Sequence, residues 1–213
     1  MPQCNICTHP THTLYDPEIK VTYDVCQACG FTYKRPEHHV EPQKEKSLYD
    51  NHQNTMENKG YVRMFEKFLS EGVTPFITRG EALDFGSGPG PVLYELLKMR
   101  GFDAHHYDPF YRPDQSAFNH RYDLVTSTEV FEHFADPTAE IKRLCSIVKP
   151  GGFLAVMTSL RGEDDDAFLS WWYRRDQTHV SFYTLDALTR LGHLGGFKRI
   201  HTNNKNIVTF TKE

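Results

Sequence analysis

The sequence predicts an α/β fold: a Rossmann-like, mostly parallel sheet with helices on both faces, preceded by a small cysteine-knuckle module. Three observations carry this. From residue 81 onward, short β-type runs alternate with amphipathic helical stretches. A glycine-rich turn joins the first of those strands to the helix that follows it. Four of the five cysteines fall in two Cys-x-x-Cys pairs within the first 29 residues.

Those pairs are Cys4 and Cys7, then Cys26 and Cys29, with eighteen residues between them. This is the two-knuckle spacing of a tetrahedral structural zinc site. Gly30 permits the tight bend behind the second pair. Between the pairs Lys20 to Val25 alternates like a strand, and Gly30 to Tyr33 is its expected partner, so residues 1–35 read as a zinc ribbon. Four unrelated thiols, or two redox pairs, are the competing readings. A redox dithiol usually stands alone at a strand-to-helix junction, so duplication at ribbon spacing favours metal. Four protein ligands leave no position for water, which makes the metal structural. Cys145 lies within an amphipathic helix and is expected to be a small buried apolar residue.

Residues 36–46 are polar with two prolines and read as a linker, so that residues 47–213 form the main domain. Val62, Phe65, Phe68 and Leu69 recur at helical spacing up to Gly72. Glu81 to Phe85 is a strand and Pro91 to Arg100 a helix. Phe102 to Tyr107 and Tyr122 to Ser127 are strands, Thr138 to Val148 a helix, and Gly152 to Ser159 a strand. Thr184 caps a helix that stops at Gly195-Gly196, and Lys198 to Thr202 with Asn206 to Thr211 form a closing hairpin. One more strand is expected between Asp108 and Tyr122, around Ser116 to Phe118.

Twenty-four Lys plus Arg against 28 Asp plus Glu give a net charge of −4 over 213 residues. That balance provides no general phosphate-seeking field, so nucleic acid is a disfavoured partner. The strongest apolar run, Phe153 to Met157, is far short of the roughly 20 residues that span a bilayer. The N-terminus carries no basic segment followed by an apolar run, so the expectation is a cytoplasmic protein with reduced thiols.

The turn Asp84-Phe85-Gly86-Ser87-Gly88-Pro89-Gly90 lies where α/β sheets bind ligands. Its glycines come one residue too early for a dinucleotide fingerprint, and Pro89 and Pro91 each remove an amide donor. Asp84 would repel phosphate and attract an ammonium group. Asp108, at the tip of the second strand, is placed to take both hydroxyls of a ribose. A nucleoside carrying an amino-acid tail satisfies both carboxylates.

With these residues in place, the chain resembles the class I S-adenosylmethionine-dependent methyltransferases over residues 80–213. Leu83 to Gly90 looks like their first motif, Tyr107-Asp108-Pro109 like their acidic ribose position, and Tyr122 to His133 like the fourth-strand motif beside the methionyl part of the cofactor. Val148 to Leu154 resembles the turn into the fifth strand. His179 to Thr184 is similar to the ubiquinone-type O-methyltransferase branch. The resemblance implies a seven-stranded sheet whose last strand is antiparallel. It also implies S-adenosylmethionine as cofactor, held by Asp84, Phe85, Gly86, Ser87, Gly88, Gly90, Asp108, Pro109, Thr128 and Glu129. Ser47 to Asn54 stands where family members lay a lid, so Tyr49 and His52 either touch the methionine end or belong to a polar loop.

Methyl transfer needs alignment above all, and a base only where the nucleophile arrives protonated. His179 is the first candidate base, with His133 and Glu132 as alternatives; orienting the loop before Thr184 is the competing role for His179. Phe168 to Asp176, with both tryptophans and Arg174 and Arg175, either borders an acceptor pocket or packs as a helix with a basic edge. The acidic run Glu163 to Asp166 reads as an exposed loop. The expected function is O- or C-methylation of a small-molecule acceptor. The alternatives are a zinc-ribbon rRNA methyltransferase gripping RNA through Lys34 and Arg35, a cofactor-binding module without turnover, and an NAD-dependent oxidoreductase.

Overall fold

A computed structural model describes residues 2–51, 54–162 and 164–213. Along the chain, β1 (Thr11–Asp16), β2 (Val21–Cys26) and β3 (Thr32–Lys34) come first, followed by α1 (Pro42–Tyr49) and α2 (Lys59–Phe68). Then β4 (Glu81–Phe85), α3 (Val92–Met99), β5 (Asp103–Tyr107), β6 (Tyr122–Thr128), α4 (Pro137–Ile147) and β7 (Val148–Met157) alternate. The chain ends with α5 (Asp165–Ser170), β8 (Ser181–Phe182), α6 (Leu185–Gly195), β9 (Arg199–Thr202) and β10 (Ile207–Thr211).

The central sheet has the order β5-β4-β6-β7-β10-β9. Strands β5, β4, β6 and β7 are mutually parallel, and β10 runs antiparallel to both β7 and β9. Alternation along each strand divides its side chains between two layers. Leu83, Val125, Leu154 and Val156 face α4 and α6 through Ile141, Leu144, Leu188 and Leu191. Their neighbours Ala82, Leu124, Ala155 and Met157 face α2 and α3 through Phe65, Phe68, Leu93 and Leu96. Local signals start and stop the helices where they must. The Asn58 side chain accepts from the Tyr61 amide, Asp136 caps α4, and Thr184 accepts from Ala187 N–H. Gly196 takes the left-handed φ of 104° that ends α6. Cys145 is buried on the inner face of α4.

The expected seventh strand is replaced. Gln115–Asn119, which contains the Ser116 to Phe118 segment, is a 3-10 turn, and the central sheet has six strands among the described residues. The cause is local turn chemistry: Pro113 precedes Asp114, whose carboxylate accepts the Ser116 amide at 2.9 Å. Phe118 then packs edge-on against Tyr107 at 4.8 Å instead of extending the sheet. The stretch read as a linker carries a 3-10 turn at Pro36–His38 and most of α1, which buries none of its own residues.

The N-terminal strands form a second, antiparallel sheet in the order β1-β2-β3-β8. Its fourth strand comes from the main body, with Thr32 opposite Phe182 and Tyr33 opposite Ser181. An aromatic cluster seals this junction, with Phe168 5.0 Å from Tyr23 and 5.1 Å from Phe182. Among the described residues no helix is long and apolar enough to cross a membrane.

Candidate active site and cysteine centre

The four N-terminal sulfurs converge. Cys4 Sγ lies 3.8 Å from Cys29 Sγ, and Cys7 Sγ lies 3.4 Å from Cys26 Sγ and 3.6 Å from Cys29 Sγ. A tetrahedron of thiolates at about 2.3 Å from zinc has edges of about 3.8 Å. Amides of Ile6 and Cys29 point at the sulfurs of Cys4 and Cys26, which suits them to thiolate charge. Donor set and spacing therefore fit a closed, four-sulfur structural zinc site.

The second site lies at the carboxyl edge of the parallel strands, where β4, β5 and β6 release their loops on one side. Gly86 and Gly88 adopt φ of 82° and 66°, and a side chain at Gly86 would meet Val130 at 2.3 Å. The loop amides are already spent inside the protein. Gly86 and Ser87 donate to the Tyr107 carbonyl at 2.8 and 3.1 Å, and Gly88 donates to Asp108 Oδ2 at 2.9 Å. A diphosphate would find few donors here.

Asp108 is buried, and its Oδ1 accepts from the amides of Phe110 and Tyr111 at 2.8 and 3.0 Å. The carboxylate is thus fixed in direction, with lone-pair capacity left on Oδ2 for a hydroxyl. Pro109 beside it is exposed. Asp84 is buried at the end of β4 and accepts from Thr126 Oγ1 at 3.2 Å. Desolvation pushes its carboxyl up to about 7, against the weaker opposing pull of that hydroxyl. A nucleoside with a cationic amino-acid tail fits this pair: a fixed carboxylate at one end and a buried acid awaiting positive charge at the other. Phe85 is buried and stacks on Tyr107 with ring centroids 5.5 Å apart. Gly90 is approached so closely by the Asn54 carbonyl that a side chain there would collide with it.

The loop after β6 carries the remaining chemistry. Thr128 is buried, and Glu129 holds a left-handed φ of 54°, an unfavourable conformation for a non-glycine residue that turns its side chain toward Tyr173. The Tyr173 hydroxyl lies 2.5 Å from Glu132 Oε1 and 3.1 Å from Glu129 Oε2, and Thr158 donates to Glu132 Oε2 at 2.9 Å. Desolvation raises both carboxyls, Glu129 to about 8, with the neighbouring Glu132 charge as its second cause. These acids accept from hydroxyl donors, and burial favours their protonated form.

His133 and His179 meet edge to face with centroids 4.9 Å apart. Nδ1 of His179 lies 2.9 Å from the Tyr173 carbonyl, and Nδ1 of His133 lies 3.1 Å from the Thr178 carbonyl. A carbonyl can only accept, so each Nδ1 carries the proton and each Nε2 keeps its lone pair. Burial is the main cause that holds both rings neutral, pushing His179 down to about 3 with His133 as the second cause. Asp176 Oδ2 stands 3.9 Å from His179 Nε2 and pulls the other way. Tyr49, from α1, donates to Glu45 Oε1 at 2.7 Å and sits 2.9 Å from His133 Nδ1, so α1 covers the histidine pair. His52 lies outside the described residues.

A cavity of about 330 Å³ opens beside these groups, lined by residues including Leu48, Tyr49, Arg175, Asp176 and Thr178. Arg174, one of the side chains offered for acceptor binding, is turned away from it. Its guanidinium is buried and ion-paired with Asp16 at 2.8 Å and Glu18 at 2.6 Å, joining body to ribbon. Arg175 pairs with Glu18 at 3.0 Å from the cavity edge. Trp171 stacks on Tyr173, while Trp172 is exposed. The basic side chains that RNA would need on the ribbon are also occupied. Arg35 binds Asp24 and Thr13, and Lys34 is buried against the carbonyls of Asp176 and Gln177. Sequence reasoning passed over Lys34 in this role. The available signal was its position two residues from buried Thr32, on the inward face of β3.

The crevice at the carboxyl edge of this Rossmann-like sheet fits a nucleoside with a charged tail. The profile of the methyltransferase domain family matches residues 56–202, and the chain belongs to that family. A ubiquinone biosynthesis O-methyltransferase of Shewanella sp. (strain ANA-3) is 30% identical over 90 residues, 42% of this chain and 38% of the relative. A second, of Methylobacterium sp. (strain 4-46), is 29% identical over 139 residues, 60% of this chain and 54% of the relative. The chain thus matches about half or less of the length of these relatives. The methyltransferase CalO1 of calicheamicin biosynthesis, in its SAH-bound form, shares the fold with a TM-score of 0.53 at 15% identity, covering 81% of this chain and 59% of that one.

Proposed function

We propose that this domain methylates an oxygen or carbon of a small-molecule acceptor, with His179 as the proton acceptor and a structural zinc held by Cys4, Cys7, Cys26 and Cys29. The observation that carries the reading is a buried, neutral imidazole that spends Nδ1 on the Tyr173 carbonyl and sets Nε2 3.9 Å from the Asp176 carboxylate, a residue that also lines the neighbouring cavity. Bound in the crevice, S-adenosylmethionine supplies a methyl group activated on sulfonium. Asp108 would take a ribose hydroxyl on Oδ2, Asp84 would receive the ammonium end directly or through water, and Thr128 and Glu129 would hold the methionyl part. His179 Nε2 takes the acceptor's proton. The imidazolium so formed is held by the Tyr173 carbonyl at Nδ1 and by the Asp176 charge, an arrangement in which base and orienting groups divide the work. The Asp176 charge opposes the depression caused by burial and by His133, and it faces the imidazolium as that cation forms.

Incubating the protein with methyl-labelled cofactor and fractionated cell extract tests this, with label expected in the small-molecule fraction. Label in RNA would transfer the assignment to nucleic acid. Retained cofactor binding with no label anywhere would mark a binding module.

Proton linkage provides a second check. Because Asp84 is raised to about 7, it is largely neutral below that pH, and a cationic ligand must displace its proton. Cofactor affinity is therefore expected to rise with pH through about 7. Calorimetric enthalpies in buffers of different ionisation heat should report proton release, and Asp84→Asn should abolish the dependence.

Cys4→Ser is expected to release zinc, at a local cost on the order of 10 kcal/mol of folding free energy. Hydrogen exchange should speed in β1 to β3 and also in β8, which pairs with β3. Loss of protection confined to residues before 35 would show that the two sheets are energetically separate.

A further inference from the structure

We infer that Lys34, supplied by the ribbon, is a positioning residue for the loop that carries His179, which makes the cysteine module part of the active-site architecture. The inference rests on the base reading of His179. Lys34 grips the chain on both sides of that histidine. Its ammonium donates to the carbonyls of Asp176 at 3.3 Å and Gln177 at 3.0 Å, and its backbone amide donates to the Val180 carbonyl at 2.8 Å. The side chain is only 2% exposed, so these bonds form in a dry environment where a missing donor would leave carbonyls unsatisfied.

The rest of the frame leads back to the same strand. Val180 N–H donates to the Glu132 carbonyl at 2.8 Å, coupling the held loop to the end of β6. Immediately after it, β8 pairs with β3, and Thr184 Oγ1 donates to the Cys29 carbonyl at 2.5 Å. Arg161 donates to the Gly30 carbonyl at 3.3 Å. The path from the sulfur cluster to the His179 loop is therefore short: Cys29, then the five residues to Lys34, then two carbonyls.

Buried lysine is costly, and a hydrophobic residue would fill this place more cheaply unless the donors are needed. Lysine suits the task because its compact ammonium presents three donors that can reach two successive carbonyls. It also faces the histidine pair with a positive charge. The groups around His179 are His133, Asp176, Glu132, the Tyr173 ring and carbonyl, and Phe182. Glu45 and Tyr49 face His133 from α1. Lys34 is the cation in this set that the ribbon contributes.

The test uses Lys34→Met, which keeps the stem and removes the donors and charge. Turnover is expected to fall at least tenfold, with S-adenosylhomocysteine affinity by calorimetry within twofold of wild type. The His179 Cε1–H resonance, assigned by its absence in His179→Gln, should begin to shift at higher pH on acidification than in the wild type, because one cation fewer faces the ring. A purely structural defect would not move that onset in this direction. Turnover within twofold, or an unmoved onset, overturns the inference. If Lys34→Met loses S-adenosylhomocysteine binding and so fails to fold, the same readouts are taken on Lys34→Gln, which keeps amide donors without charge. There the onset should still move upward, and an unmoved onset again overturns the inference. Should His179→Gln retain full turnover, the base reading falls, while the resonance of His179 in the Lys34 variants still decides whether Lys34 positions the ring.

Discussion

His179→Gln is expected to lower kcat by roughly 10² to 10⁴, the range over which positioned proton transfer contributes, while S-adenosylhomocysteine affinity stays within twofold. Glutamine keeps a donor that can reach the Tyr173 carbonyl now bonded to Nδ1, so the loop retains its anchor. What it lacks is a lone pair basic enough to accept a proton at the Nε2 position. The separation of turnover from cofactor affinity follows from the geometry. The ring is packed between Tyr173 and His133, whereas the carboxylates assigned to the cofactor are Asp84 and Asp108, at the ends of other strands. Equal losses in both measurements would mean that His179 orders the crevice and removes no proton. Unchanged kcat would leave Glu132 and His133 as the remaining candidates, and Glu132 already spends both oxygens on Tyr173 and Thr158.

Asp108→Ala is expected to weaken cofactor binding by tenfold or more in a calorimetric titration, through two losses that act together. One is the hydrogen bond from a ribose hydroxyl to Oδ2. The other is internal: Asp108 receives the amides of Gly88, Phe110 and Tyr111, so removing its carboxylate leaves three donors without their acceptor and removes one of the ties between the glycine turn and the tip of β5. Asp108→Asn is the milder change, because its amide oxygen can still accept from Phe110 and Tyr111 while its amide nitrogen opposes the Gly88 N–H and no longer offers the ribose an acceptor. It should fall between wild type and alanine. Wild-type affinity in the alanine variant would place the cofactor elsewhere.

What could be read from the chain itself was whatever depends on short spacing. The Cys-x-x-Cys pairs, the Gly86-to-Gly90 turn and Asp108 are each set by a few neighbouring residues and a strand end, so their placement follows from local geometry. The helix cap at Thr184 is legible for the same reason. The 3-10 turn at Gln115–Asn119 shows the limit: the expected topology suggested a strand, and the Pro113-Asp114 turn chemistry overrode it.

The amino-acid order thus determined the layered α/β body, the four cysteines that cluster and the carboxylates at the strand ends, because periodicity and capping act within one or two turns of chain. Only the tertiary structure decided that β3 would take β8 as its neighbour, that Lys34 would bracket His179, that His133 and His179 would meet, and that Arg174 would serve the ribbon junction and not an acceptor. Each of these joins segments far apart in sequence through packing and burial, and no local pattern encodes which distant surface a side chain will be pressed against.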